Sequence, residues 1–218
     1  MSITRGIGTK KKRSDPIDQD DENKLWETGQ FGPNSSHSLL NTVFFYNCKL
    51  FGLRAMDEHR GLQCDQFVCG SDNTGTFIQF DGRTSKNIQG GLKHRKLEAK
   101  SIKHYSVSGE ERSLYDIYKV YLEKINTDPT GPFYRRPLDG PGQRFSSQPV
   151  GVNKLSVLIK SCCSAAGLSG QFRNHSGKRT CATPLFQQGV DKQLIMSRTG
   201  HRSKSIQKAL SSTSGTGQ

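Results

Sequence analysis

"LLNTVFFYNCKLFGLRAMDEHRGL", residues 39–62, is the stretch on which the fold turns. Leu40, Val43, Phe44, Asn47 and Phe51 recur at helical spacing behind a run of serines, which predicts a buried helix over about 36–51. Immediately after it, residues 58–80 read as strand, turn, strand, with "SDNTG" (71–75) as the turn. A second turn, "DGRTSKNIQGG", leads into a very basic third strand, "LKHRKLEAKSIKHYSV". A small antiparallel sheet of three strands is the simplest outcome.

Further along, Ser113 stands three residues before Asp116, a capping-box spacing, and Leu114, Ile117, Tyr118, Tyr121 and Ile125 mark the apolar face of the helix that follows. "DPTGPFYRRPLDGPG" (128–142) reads as a Pro/Gly loop. "VNKLSVLIKSCCSAAG" (152–167) predicts a helix capped by Asn153 and stopped by Gly167, with Leu155, Leu158, Ile159, Cys162 and Ala166 inward. Two shorter helices are expected over about 177–188 and 191–199. The ends are polar, so the expected organisation is a disordered tail over 1–23, one domain over 24–210 and a Ser/Thr/Gly tail over 211–218.

Composition bounds what such a chain can be. Its 218 residues, 32% of them hydrophobic, allow one real core and exclude an all-disordered chain. No run approaches the roughly 18 apolar residues of a membrane-spanning helix, and the N-terminus has no apolar segment of the kind a secretory signal needs. The thiols are therefore expected to stay reduced. With 32 Lys+Arg against 19 Asp+Glu, the net charge of +13 favours a polyanionic partner. Residues 1–23 carry five charges of each sign and contribute nothing to the excess. The excess lies in two blocks: seven positive and one negative over 83–104, and eleven positive and one negative over 144–210. The run Lys10-Lys11-Lys12-Arg13 has the composition of a nuclear import signal.

Small-molecule chemistry finds little support. Phosphate-binding glycine loops and a serine-hydrolase elbow are absent. Cys64 and Cys69 are too far apart for a Cys-x-x-Cys pair, Cys162 and Cys163 are adjacent, and no His pair has finger spacing. Buried structural thiols are expected, with no metal and no cofactor.

Three segments taken together, "FGLRAMDEHRGL", "NHSGKRTCATPLFQQGVDKQLI" and "RTGHRS", resemble in order and spacing the catalytic domain of tyrosine recombinases. The likeness is greatest to Crypton-type transposon recombinases, and to the domesticated Crypton-derived domains at the C-termini of MYM-type zinc-finger and glutamine-rich proteins. It runs from about Leu25 to Leu210. It implies an α+β fold, a mainly helical phage-integrase-like core with a small antiparallel sheet. It also implies a role in DNA recombination, DNA integration or DNA binding, with duplex DNA as partner and the nucleus as location.

Such an enzyme attacks a phosphodiester with a tyrosine oxygen, and cationic side chains clamp the charge that develops on the non-bridging oxygens. The resemblance places Arg54 as the first clamp arginine, Asp57 as its acidic support, Lys86 on the hairpin, His175 in the His-x-x-Arg position and His201 in the Gly-His position. Arg83, Lys93, Arg95, Lys96, Arg173, Arg179, Arg202 and Lys204 are the expected DNA contacts. Lys178 occupies the second clamp-arginine position, where a point charge replaces a planar fork. Arg179 is next to it but about 100° further round a helix. The nucleophile position holds Leu210, and the last of the six tyrosines is Tyr134. Pro184 falls within a helix the family fills with alanine-like residues. The expectation is a DNA-binding domain that has lost strand transfer. Two alternatives stay open: a nuclear protein-interaction or transcription-regulator domain, self-associating or bound to nuclear proteins without DNA, and an active recombinase whose true encoded C-terminus differs from this one.

Overall fold

One helix, α2 (Ser36–Leu50), organises the molecule because it is buried on every side. Twelve of its fifteen residues are buried, polar Ser36, Ser38, Thr42 and Asn47 among them. A helix apolar around most of its circumference must sit inside a core. Ser35 caps it, accepting from the Ser38 N–H, while the Ser38 hydroxyl accepts from the Ser35 N–H. At its other end Gly52 takes φ +59, and the chain turns so that the Leu53 N–H reaches the Asn47 carbonyl.

The computed structural model describes residues 14–53, 55–83, 100–106, 112–125, 128–177 and 179–180. Around α2 lie α1 (Gln19–Glu27), the short α3 (Ala55–Arg60), a 3-10 turn (Cys64–Gln66), β1 (Phe67–Asp72), β2 (Gly75–Asp81), β3 (Ser101–Tyr105), α4 (Leu114–Ile125), β4 (Arg135–Pro137), β5 (Phe145–Pro149) and α5 (Val152–Ala165). Residues 174–177 and 179–180 are helical as well. β1, β2 and β3 form one antiparallel sheet in that order. β1 and β2 are joined through Asn73-Thr74, inside the expected turn. Phe67 pairs with Phe80 across the strands, and both rings pack on Phe51 at the end of α2. Phe133 stacks on Phe67 at 4.2 Å and closes the aromatic core together with Tyr118 and Tyr121 of α4.

Several expectations need correcting. The tail predicted for 1–23 is, from residue 14 onward, part of the fold: Ile17 is buried and α1 begins at Gln19. The acidic run is a helix start. Asp18 caps the Asp21 N–H at 2.8 Å, and Asp20, Asp21 and Glu22 fill the first turn, where the helix dipole favours negative charge. Glu22 is itself buried, accepting from the Tyr46 hydroxyl and the Lys49 ammonium. The Pro/Gly loop at 128–142 contains β4, whose single proline, Pro137, fits an edge ribbon paired only with β5.

Residues 58–60, read as the start of a strand, are the end of α3. The third strand is confined to Ser101–Tyr105 among the described residues. In α5 the cap is Gly151, without a side-chain bond, instead of Asn153. The stop at Gly167 is as expected: its φ is +68, its N–H reaches the Ser164 carbonyl and the Leu168 N–H reaches Cys163, a Schellman closure. The helix expected from 177 begins at 174. The expected helix over 191–199 lies outside the described residues, as do the tail over 211–218 and Pro184.

Candidate nucleic-acid interface

The segment "RNHSGKRT" (173–180) carries the second constellation, and its local chemistry explains its placement. The Ser176 hydroxyl accepts from the Arg173 N–H at 3.0 Å and closes the first turn. Gly177 lies against α2: a Cβ there would be 2.6 Å from the Cys48 Cβ. Ser176 and Thr180 face inward and are buried, whereas Arg173 and His175 are exposed.

Asn174 joins this helix to the rest of the site. Its amide nitrogen donates to the Leu155 carbonyl at 2.8 Å, and its oxygen lies 3.4 Å from the Ile159 N–H, both in α5. The same nitrogen lies 3.7 Å from the Met56 sulfur in α3. Met56 is two residues past Arg54, and Asn174 precedes His175. Two blocks more than a hundred residues apart in sequence therefore meet at one side chain.

Beneath the first block runs a polar network that sequence reasoning missed. The Tyr118 hydroxyl donates to Asn47 Oδ1 at 2.8 Å, and Asn47 Nδ2 donates to the Tyr134 oxygen at 2.7 Å. The Tyr134 hydroxyl lies 2.9 Å from His59 Nδ1. His59 also bonds the Leu53 backbone, one residue before Arg54, and its ring stacks on Phe44 at 4.4 Å. Burial pushes the His59 imidazole down from about 6.5 to about 4, so the ring is neutral and Nδ1 accepts from Tyr134. These bonds run without a break from Tyr118 to His59 and on to the backbone of Leu53, which they hold in place. A lone histidine five residues after an arginine gives no hint of this, because its partners come from α2, α4 and the residue before β4.

A shallow cleft of about 170 Å³ opens beside this network, lined by Arg60, Leu62, Pro132, Val150, Val152 and Leu155. Its walls are largely apolar, and the polar atoms of His59 and Tyr134 at its edge are engaged with each other. Burial raises the phenols of Tyr46, Tyr118, Tyr121 and Tyr134 far above their ordinary value, which leaves them poor nucleophiles. Burial likewise pushes the thiols of Cys162 and Cys163 up to about 12 and that of Cys69 to about 11. These are packed thiols, not reactive ones. Among the described residues no three His, Cys, Asp or Glu side chains gather as a metal site.

The other expected DNA contacts divide unevenly. Arg83 is half-exposed, and its guanidinium nitrogen donates to both Asp65 oxygens at 2.9 and 2.8 Å. Arg179 donates to the Ser14 carbonyl. Lys154 and Lys160 on the outer face of α5 are exposed cations that the motif reading passed over, because nothing in their spacing sets them apart. Arg54, Lys86, Lys93, Arg95, Lys96, Lys178, His201, Arg202, Lys204 and Leu210 lie outside the described residues, as does the side chain of Asp57.

A family model described as "Domain of unknown function (DUF3504)" matches residues 17–164, more than half of the chain. The chain belongs to the DUF3504 family. Similar proteins with curated descriptions include human zinc finger MYM-type protein 3, 48% identical over 48 residues, and mouse zinc finger MYM-type protein 2, 44% identical over 39. Those stretches cover 22% and 18% of this chain but only 4% and 3% of the relatives. Among solved structures, the XerH site-specific recombinase bound to its difH substrate in a pre-cleavage complex is similar with TM-score 0.56 and 15% identity, over 96% of this chain and 53% of that one. The Flpe–Holliday junction complex is similar with TM-score 0.51 and 13% identity, over 89% and 47%. The chain thus spans about half the length of the recombinases it resembles. This DUF3504 domain has the fold of a tyrosine-recombinase catalytic domain, α+β with a small antiparallel sheet, and part of it is similar in sequence to MYM-type zinc-finger proteins.

Proposed function

We propose that this DUF3504 chain is a duplex-DNA-binding domain, descended from a Crypton-type recombinase, that acts in the nucleus and no longer transfers strands. The observation that carries the reading is the meeting of the two motif blocks at Asn174, with Arg173 and His175 exposed beside it. A recombinase gathers its clamp from distant segments onto one phosphate, and the contact between Met56 and Asn174 brings the flanks of Arg54 and His175 to the same place. The fold of its neighbours, two of them captured on DNA substrates, supports the same reading.

In this reading Arg54, Lys86, Lys178, His175 and His201 form a phosphate-binding face. Arg83, Lys93, Arg95, Lys96, Arg173, Arg179, Arg202 and Lys204 extend it along the backbone. Arg83 binds phosphate by exchanging Asp65 for it. Leu210 stands where the tyrosine would attack, and a clamp cannot replace a nucleophile. Affinity then rests on counterion release, with little sequence preference. The test is a salt titration of duplex binding by the whole chain. A steep linear fall of log affinity with log salt is expected. Affinity that stays flat between low and moderate salt overturns the reading and favours a protein-interaction domain.

A further inference from the structure

We propose that the cleft between the end of α3 and the start of α5 is a docking site for a partner protein. Its occupant is an acidic peptide segment that inserts one apolar side chain and sets a carboxylate on Arg60. The inference goes beyond the DNA-binding reading and does not depend on it.

Three segments of the chain wall the cleft, 59–62, 132–134 and 149–155, and hydrogen bonds fasten them to one another and to the core. The Phe133 N–H donates to the Leu62 carbonyl at 2.9 Å, and the Val150 N–H donates to the Tyr134 carbonyl at 2.9 Å. The Asn174 amide holds the Leu155 carbonyl at 2.8 Å. His59, at the edge, is held by Tyr134. Walls fixed in this way need little ordering when a ligand arrives.

The chemistry of the walls selects the occupant. Leu62, Val150, Val152 and Leu155 make them apolar, and Val152 is left 39% exposed to water. The volume of about 170 Å³ suits one apolar side chain, since an apolar cavity of about 150 Å³ holds a benzene ring. Charge decides what accompanies that side chain. Arg60 is exposed, and its guanidinium has no hydrogen bond or ion pair among the described residues. The three segments contain Arg60 and Lys154 and no acid. Glu58 stands two residues earlier, about 200° round the helix, and is not among the residues that line the cleft. A planar fork beside an apolar floor suits a carboxylate carried next to an apolar side chain. A phosphate backbone would leave that floor uncovered, so a peptide fits better than DNA.

The test selects peptides on the whole chain from a random display library and measures the affinity of the enriched ones by fluorescence anisotropy. Enriched peptides are expected to carry acids beside an aliphatic or aromatic residue. Arg60→Glu should weaken their binding about tenfold, as loss of a charge-assisted hydrogen bond does. Arg60→Lys should cost less, because it keeps the charge and loses only the fork. Val152→Ser should weaken binding several-fold with no change of charge. Lys124→Glu makes the same change of charge on α4, away from the cleft, and should leave the affinity as it was. All three positions are exposed, so equal melting temperatures are expected. No enrichment, or enriched peptides without acids, overturns the proposal. Equal losses for Lys124→Glu and Arg60→Glu overturn it too, since the net charge of the chain would then explain the binding. A loss of duplex affinity in Arg60→Glu and Val152→Ser as large as the peptide loss assigns the cleft to DNA and overturns the peptide.

Discussion

His59 shows how a residue to which the motif assigns no role can shape the chain around it. Its ring bridges Tyr134 and the Leu53 backbone, so it holds the chain at Leu53. Neutrality is a condition of that role, and it makes stability depend on pH. The folded-state value, near 4, lies below the ordinary 6.5, so between those values the unfolded chain binds a proton that the folded chain refuses. The contribution is complete above about pH 6.5 and is lost as pH falls toward 4. In urea unfolding, the unaltered chain should lose about 2–3 kcal/mol more between pH 7 and pH 4.5 than His59→Gln does, since a shift of one pH unit is about 1.4 kcal/mol. Equal losses would show that the ring is not held neutral. Little of this is legible in the sequence. The motif marks Arg54, but the partners of His59 depend on tertiary packing. Arg83 teaches the reverse lesson: a basic block suggests a phosphate contact, whereas the local geometry gives the arginine a bidentate carboxylate at Asp65.

At the scale of elements, hydrophobic spacing located α2 within a residue, and Ser113 marked the start of α4, where its hydroxyl accepts from the Asp116 N–H. The β1–β2 turn and the Gly167 stop were equally clear, because each depends on local chemistry. The misses share a cause. The acidic run of α1 reads as solvated charge until its dipole and the burial of Glu22 are known. The β4–β5 ribbon hides in a Pro/Gly composition that normally means loop. In the helix that begins at residue 174, Gly177 is the informative residue. Gly to Ala in an exposed helix stabilises by roughly 1 kcal/mol. Here a Cβ would sit 2.6 Å from that of Cys48, itself buried in α2, so Gly177→Ala should destabilise instead. It should also weaken duplex binding without removing a charge, because it displaces His175 relative to α3. A raised melting temperature for this variant would show that the helix does not lie against α2 as described.

For the whole molecule, charge and fold have to be read together. The net charge of +13 suggests a polyanion, and the recombinase-like fold suggests which face would meet it. If the domain works in the nucleus, Lys10–Arg13 should support import. A fusion too large for passive entry should accumulate in the nucleus, and changing the four residues to alanine should weaken that accumulation. An unchanged distribution would reject the import reading. The central claim is binding without strand transfer, and a single gel assay tests both halves. The whole chain is incubated with a nicked suicide duplex, and the mixture is run before and after denaturation in detergent. A shifted complex that disappears completely on denaturation is the predicted result. A detergent-resistant protein–DNA adduct would show that a nucleophile survives, and no shift in the native lane would show that DNA is not the partner.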